Sequence, residues 1–475
     1  MHKHSIKGHL LRTVKNLNSN LRARAKTKHG PTREFTIKDS IRQGGVLSVM
    51  QYAILMDEIA KEIKKEDMGA LLLNGQRIGC LLWMDDVVLI HETPEGLQKL
   101  LDITDSIAKK FHIVFGKEKS NTMIIGKRKD TTTFTIGQET VEPTTKYKYL
   151  GEVINNKMNM ENQTKEIERK AEAALQTILT VAGDQDLKGL QMQVIWKLVE
   201  SCIKPIIMYG AETWNANKKE MEKINGILDN ILKRILMTPI TTPRESLYLE
   251  TGIIDIEHTM ERNKMLMLNR LQRTSNGLIE TAMQNDYPKG WKKNVQNIIK
   301  EYRMGDIEDL DANPARRMVN QAVHEGNLWD MITMGSTKSK VQFLIDNMKP
   351  YKDMPTTPKY IKVLTRNQVS TIFKARTRML DIKNNYRGKY NNTVCRGCGE
   401  AQETQEHVLN ECTGLHPDNK NRVSLQDIFN EENTEKELQQ TATKINDTME
   451  KIKKSDAPPK QNMGGSDLPM QGTTR

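Results

Sequence analysis

Two groups of side chains in this 475-residue chain have the types and spacing to do chemistry. The first is Asp85-Asp86, set inside LLWMDDVVLI, residues 81–90. Burying one unpaired carboxylate is costly and burying two neighbours is worse, so the pair must leave the core or lose its charge. A tight β-hairpin achieves the first. Strands over Ile78–Trp83 and Val87–Ile90 stay apolar while the turn carries both acids into water. Adjacent carboxylates braced in this way suit Mg²⁺, which takes one or two carboxylates and completes its shell with water and substrate phosphates. Aspartate is also an ordinary turn residue, so the pair by itself is equally consistent with a polar turn that binds nothing.

The second group is CRGCGEAQETQEHVLNEC, with the spacing Cys395-x2-Cys398-x8-His407-x4-Cys412. Three thiolates and one imidazole in a short segment meet the tetrahedral demand of structural Zn²⁺. Gly397 and Gly399 suit a tight turn, and helical turns over Gln405–Cys412 would aim His407 inward. His416 is a less favoured substitute ligand, and free cysteines with a surface histidine are the bland alternative. The flanking stretches NNYRGKYNNT and GLHPDNKNRV are polar, so metal would supply most of this segment's folding energy. Cys80 and Cys202 fall on apolar segments and are expected in the core.

Elements must hold these residues. Hydrophobic residues are 37% and aromatics only 5%, so cores must be built from Leu, Ile, Val and the 26 Met. Apolar positions Leu47, Met50, Ile54, Leu55, Ile59 and Ile63 have helical spacing. Asn74-Gly75 signals a hairpin ahead of the aspartates. A helix from the Thr93 cap and Pro94 carries Leu97, Leu100, Leu101, Ile107 and Phe111. Short strands are expected around Thr122–Ile125, Thr133–Ile136 and Tyr147–Ile154. From about Met158 the period turns helical, with a stripe over Ile167, Ala171, Ala174, Leu175, Ile178 and Val181. LQMQVIWKLVESCIK reads as another helix, ended by Pro205. A charged helix is possible over Glu431–Lys454 within an otherwise polar tail.

The net charge of +12 favours a polyanionic partner, nucleic acid before membrane. Residues 1–34 carry nine Lys or Arg against Glu34 alone, with an amphipathic helix expected over Ile6–Leu21. No apolar run approaches the roughly 18–20 residues of a membrane span, and the first residues lack a secretory signal's apolar core. Five cysteines are too few for a disulfide scaffold and point to a reducing, intracellular location, cytoplasm or nucleus. Trp83, Trp196, Trp214, Trp291 and Trp329 could stack on bases, although helical spacing assigns Trp196 to a core.

In order along the chain, IRQGGVLSV, WMDD, FGKEKSNTMIIG, KYLGEVI and KPIIMYGAETW resemble the palm and thumb motifs of reverse transcriptases of LINE-like, non-LTR retrotransposons. The resemblance runs over roughly residues 1 to 420. It implies an α/β palm fragment followed by a predominantly α-helical thumb and connection region and a small zinc knuckle. By the same resemblance Asp85 is a direct ligand of Mg²⁺ or Mn²⁺ and Asp86 supports it. Arg42, Gln43, Gly44, Gly45 and Lys119 would contact template and incoming nucleotide, and Tyr149, Leu150 and Gly151 would form the primer grip. Two departures stand out: Trp83 precedes the acids, and Val49 replaces the customary proline after Ser48.

The implied division is a partial palm over 1–155, a helical thumb and connection over 156–330, a helical or linker segment over 331–392, a CCHC knuckle over 393–420 and a largely disordered tail over 421–475. The implied activity is RNA-directed DNA synthesis, with an RNA template, a DNA primer or target and deoxynucleotide triphosphates as partners. The family's first catalytic aspartate sits on a strand before the RQGG segment. Upstream of Arg42 the one aspartate is Asp39, in the wrong context. The expectation is therefore a C-terminal portion of a retrotransposon polyprotein, inactive alone. The alternative is a non-catalytic remnant that binds RNA or DNA through its basic start, thumb and knuckle.

Overall fold

The computed structural model describes residues 6–37, 45–72, 75–126, 132–181, 191–284, 290–348, 357–386 and 388–455. Arg42, Gln43, Gly44, Asp39 and Asn74 lie outside these residues. The chain divides into two compact units, one of residues 1–162 with 273–293, the other of residues 163–272 with 294–475. The sequence division placed 273–293 with the helical region. In the structure this segment returns to the first unit, where the Thr281 hydroxyl meets the Gln76 side chain.

In the first unit the helix Ser48–Lys65 buries Met56, Ile59 and Ile63, one stripe of a 3.6-residue period. The helix Pro94–Phe111 packs beside it. Thr93 caps that helix, its hydroxyl accepting from the Gly96 N–H at 3.2 Å, and Pro94 occupies the first turn, where its missing donor costs nothing. Leu100 joins Met56, Ile59 and Ile63 in one core, against which Cys80, Leu82, Val87 and Leu89 of the aspartate hairpin pack. Leu101 faces a second core with Phe134 and Val141. These lie on a three-stranded sheet in which Glu139–Pro143 pairs antiparallel with Phe134–Ile136 and parallel with Asn121–Thr122.

The strand expected over Tyr147–Ile154 is instead two strands, Lys146–Tyr149 and Glu152–Asn155, paired antiparallel. Leu150 and Gly151 turn between them with φ of +47° and +91°. Positive φ at both central residues matches the twist of a two-residue hairpin. The N-terminal helix runs over Gly8–Asn18, shorter than expected.

The second unit is helical. Lys218–Ile235 opens with a capping box, Asn217 and Glu220 each satisfying the other's backbone donor. Its stripe of Met221, Ile224, Leu228, Ile231 and Ile235 is buried. Arg366 donates to the carbonyls of Arg234 and Ile235 at that helix's end, at 2.8 and 2.7 Å. Pro205 does not end its helix. Met192–Leu198 passes through a wider π turn over Val199–Ile203 into Lys204–Ile207, with Pro205 in the first turn of the new segment. The π turn absorbs the donor that proline lacks and shifts the helical register. Cys202, within this turn, is exposed and not in the core as expected, while Cys80 is half-buried against the first core.

The tail differs most. Helices form over Leu425–Phe429 and Glu435–Ser455, and the second buries Leu438, Ala442, Ile445, Met449 and Ile452. A narrow apolar stripe on a charged helix is enough when a core receives it. Residues 456–475 lie outside the described residues.

Candidate metal sites

Asp85 and Asp86 occupy the tip of an antiparallel hairpin. Cys80–Trp83 pairs with Asp86–Leu89 in the register Cys80↔Leu89, Leu81↔Val88, Leu82↔Val87 and Trp83↔Asp86. Met84 and Asp85 are the turn, and Met84 takes a φ of +53°. That conformation costs an L-residue about 1–2 kcal/mol and is held by the strands on either side. Both carboxylates are exposed, which answers their burial problem.

Their charges reach two tyrosines. Burial and then the Asp85 charge raise the Tyr52 pKa, and burial and then the Asp86 charge raise that of Tyr149. Tyr52 also packs against the core that holds Cys80, Leu82, Val87 and Leu89 of the aspartate hairpin. Gly45 accepts the Ser48 N–H at 3.0 Å just before that helix. The Lys119 carbonyl accepts the Tyr147 hydroxyl at 2.9 Å, tying Lys119 to the same hairpin as Tyr149, with the lysine exposed. Tyr52 was not singled out from the sequence, because it falls outside the helical stripe of Leu47, Met50, Ile54, Leu55, Ile59 and Ile63. Among the described residues no third His, Cys, Asp or Glu joins the aspartate pair in a ligand cluster.

The cysteine group does converge. The ligand atoms of Cys395, Cys398, His407 and Cys412 all lie within 4.8 Å of one another. Cys395 and Cys412 bring their sulfurs to 3.8 Å, and Cys398 Sγ lies 3.4 Å from His407 Nε2. A tetrahedral ion with bonds of about 2.3 Å to sulfur and about 2.0 Å to nitrogen sets its ligands roughly 3.5–3.8 Å apart, so the donor set fits zinc. His416 is not part of it: its Nε2 lies 2.9 Å from the Val408 carbonyl.

The backbone explains the convergence. The Gly399 N–H donates to the Cys395 carbonyl at 2.9 Å and the Cys412 N–H to that of His407 at 2.7 Å. A Cβ on Gly414 would stand 2.4 Å from the Gly397 carbonyl oxygen, so the two loops touch only because that residue is glycine. Arg396 and Glu403 clamp the loop's base at 2.6 Å, both nearly buried. N–H groups of Ala401 and Glu400, then His407, lower the Cys398 pKa to about 6. Burial pushes Cys412 up to about 12, so without metal Cys398 is the first thiolate.

The site is not a free-standing knuckle. Cys395 and Cys412 belong to a core with Ala375, Leu380, Val408, Leu409, Ile445 and Ile452. The expectation that its neighbours cannot build a core is corrected: Leu415 and Val423 of the second flank join the helices Arg366–Arg376 and Glu435–Ser455 in building one. Of the tryptophans, Trp196 and Trp214 are buried, whereas Trp83 and Trp329 are exposed.

The model of the family described as reverse transcriptase (RNA-dependent DNA polymerase) matches residues 1–154. A transposon-derived protein of Caenorhabditis elegans is 22% identical over 234 residues, 47% of this chain and 82% of that protein. The retrovirus-related Pol polyprotein of the type-1 retrotransposable element R2 of Nasonia vitripennis is 30% identical over 127 residues. That match spans 24% of this chain and 12% of the polyprotein. The hairpin that exposes Asp85 and Asp86 and the turn at Tyr149–Gly151 both fall inside the matched segment. Residues 1–154 thus match the reverse transcriptase family, and part of the chain is similar to the polyprotein of a retrotransposable element.

Proposed function

We propose that the chain contributes to RNA-directed DNA synthesis in a retrotransposon, with Asp85 and Asp86 as two of the carboxylates that hold Mg²⁺ or Mn²⁺. The observation that carries this is the exposed Asp85-Asp86 turn at the tip of a paired hairpin inside the segment that the reverse transcriptase family matches. Divalent ions held there would stabilise the charge that develops on the attacking and leaving oxygens of nucleotidyl transfer. Asp85 is the direct ligand and Asp86 the supporting one. Tyr149, Leu150 and Gly151 position the primer end, while Arg42, Gln43, Gly44, Gly45 and Lys119 line the nucleotide and template side. The first unit takes the part of a palm and the helical second unit that of thumb and connection.

Cys395, Cys398, His407 and Cys412 hold a structural zinc, because all four positions of a tetrahedron are filled by protein and none is left for substrate. The chain works inside the cell, where its five free cysteines stay reduced. A site with two aligned ions needs a third carboxylate, and the described residues bring none to the pair. On this reading the 475 residues polymerise only when a further carboxylate joins the pair. That same observation favours a second reading, a chain that binds RNA or DNA without catalysis.

Mn²⁺ binding in the presence of a deoxynucleotide triphosphate, followed by the electron paramagnetic resonance signal of the free ion, tests the metal assignment. Asp85→Asn weakens binding by about tenfold or more, equivalent to about 1.4 kcal/mol. Equal binding by the wild type and by Asp85→Asn contradicts it.

A further inference from the structure

Residues 22–36 form a narrow two-stranded ribbon. Arg22 and Ala23 pair with Thr36 and Phe35, and Lys26 and Thr27 pair with Pro31 and Gly30. Between the two ladders Arg24 and Ala25 face residues 32–34, an extra residue that bulges the second strand and leaves the first extended. The Ala25 carbonyl accepts the Thr32 N–H at 2.9 Å, and the Ala25 N–H donates to the Thr32 hydroxyl at 3.0 Å, which keeps the ribbon closed across the bulge.

A strand's two-residue period puts Arg22, Arg24 and Lys26 on one face, and Lys28 carries the row into the turn. Glu34 shows that the first two share that face: its two oxygens take Arg22 at 3.3 Å and Arg24 at 3.2 Å. Even so engaged, the two arginine side chains remain 68% and 61% exposed. Lys26 and Lys28 are exposed as well. Alternate residues of a strand are about 6.7 Å apart, close to the separation of successive phosphates along one nucleic-acid strand. The other face offers Ala23, Ala25 and Thr27, with Phe35 opposite Ala23 as its one large apolar side chain, too little apolar surface to enter a lipid headgroup layer.

We propose that this ribbon is a rail for the sugar–phosphate backbone of a single nucleic-acid strand. Its cations take phosphates in succession, without reading bases. Glu34 occupies two of the four cations in that row until the strand displaces it. The proposal rests on the nucleic-acid reading above and adds to it the surface that makes the contact.

Fluorescence anisotropy tests it with the full chain, a labelled twenty-nucleotide uridine RNA and a thymidine DNA of the same length, over a series of salt concentrations. Each single-strand phosphate contact contributes about 0.7 to the slope of log affinity against log salt. Replacing Arg22, Arg24, Lys26 and Lys28 together by Gln therefore flattens the slope by about 2–3. Replacing Lys436, Lys444, Lys453 and Lys454 of the C-terminal helix by Gln leaves the slope at its wild-type value. Glu34→Gln tightens binding severalfold, because it frees two cations and removes the one repelling charge. These residues are on the surface, so circular dichroism of every variant matches the wild type. Similar losses with RNA and DNA fit a rail that sees only the backbone, and a loss with one of them identifies that strand as the occupant. A wild-type slope in the ribbon variant, an equal loss in the control, or weaker binding by Glu34→Gln overturns the rail while leaving the nucleic-acid reading in place. A wild-type chain that binds neither probe overturns both.

Discussion

Trp83 and Asp86 face each other as the last pair of an antiparallel ladder, with only Met84 and Asp85 between them. A core of Leu82, Val87 and Leu89 with Ile59 and Leu100 holds this ladder from below, and the acids contribute nothing to that core. Asp85→Asn and Asp86→Asn should therefore change stability by no more than about 0.5 kcal/mol, as surface substitutions do. Urea unfolding checks this, and a large loss would give the pair a structural role in place of a metal-binding one.

Zinc analysis of the purified chain should find about one ion, the content that one closed four-ligand site implies. Cys398→Ser should release it. Since Cys395 and Cys412 share a core with the helices Arg366–Arg376 and Glu435–Ser455, chelation should leave most of the helical circular dichroism intact. The buried Cys395 and Cys412 thiols should then become reactive toward a disulfide reagent. Loss of all helical signal on chelation would show that metal, rather than this core, holds the module.

Glu250 and Arg376 meet at 2.8 Å with almost no exposure on either side, and Tyr360 donates its hydroxyl to the same carboxylate. Removing Glu250 leaves the buried Arg376 with Glu431 at 3.6 Å as its remaining carboxylate, at a cost of up to about 3–5 kcal/mol. Glu250→Ala should show this loss in urea unfolding. Glu245→Ala is the comparison: its partner Lys338 is about half exposed and stays hydrated, so the loss should be smaller.

His258 gives a pH dependence. Burial lowers its pKa, but the hydrogen bond and charge of Asp255, with Glu261 and Asp330, outweigh burial and hold it above the usual histidine value. A pKa raised by folding stabilises the fold below the unfolded value of about 6.5, and that contribution is lost as pH rises through the folded value. Stability should thus fall as pH rises above about 6.5, and His258→Gln should flatten that part of the profile. The depressed Asp255 acts in a separate, acidic window, below its ordinary value near 3.8.

The aspartate hairpin was legible because two acids interrupt a β-branched, alternating run, and only a turn can place them in water. The cluster of Cys395, Cys398, His407 and Cys412 was legible from spacing alone, since the four lie close together in the chain. The Leu150-Gly151 turn was not: leucine rarely adopts positive φ, so KYLGEVI reads as one strand. The helix Glu435–Ser455 was only half legible, because Leu438, Ala442, Ile445, Met449 and Ile452 keep helical spacing among charges that suggest disorder. Glu250 and Arg376 could not be paired from the sequence, being 126 positions apart. The contact of Tyr52 with the Asp85 charge is hidden for a similar reason, since packing alone brings the two elements together.

The most direct measurement is extension of a labelled primer on an RNA template with Mg²⁺. The 475-residue chain is compared with a fusion that adds a fingers and first-aspartate-strand segment from a non-LTR family member. The account predicts no extension by the chain alone. It predicts extension by the fusion that Asp85→Asn lowers about 10²-fold or more, the loss expected when a group that stabilises transition-state charge is removed. Extension by the fusion that survives both Asp85→Asn and Asp86→Asn would contradict the assignment of these two carboxylates to the polymerase metal site.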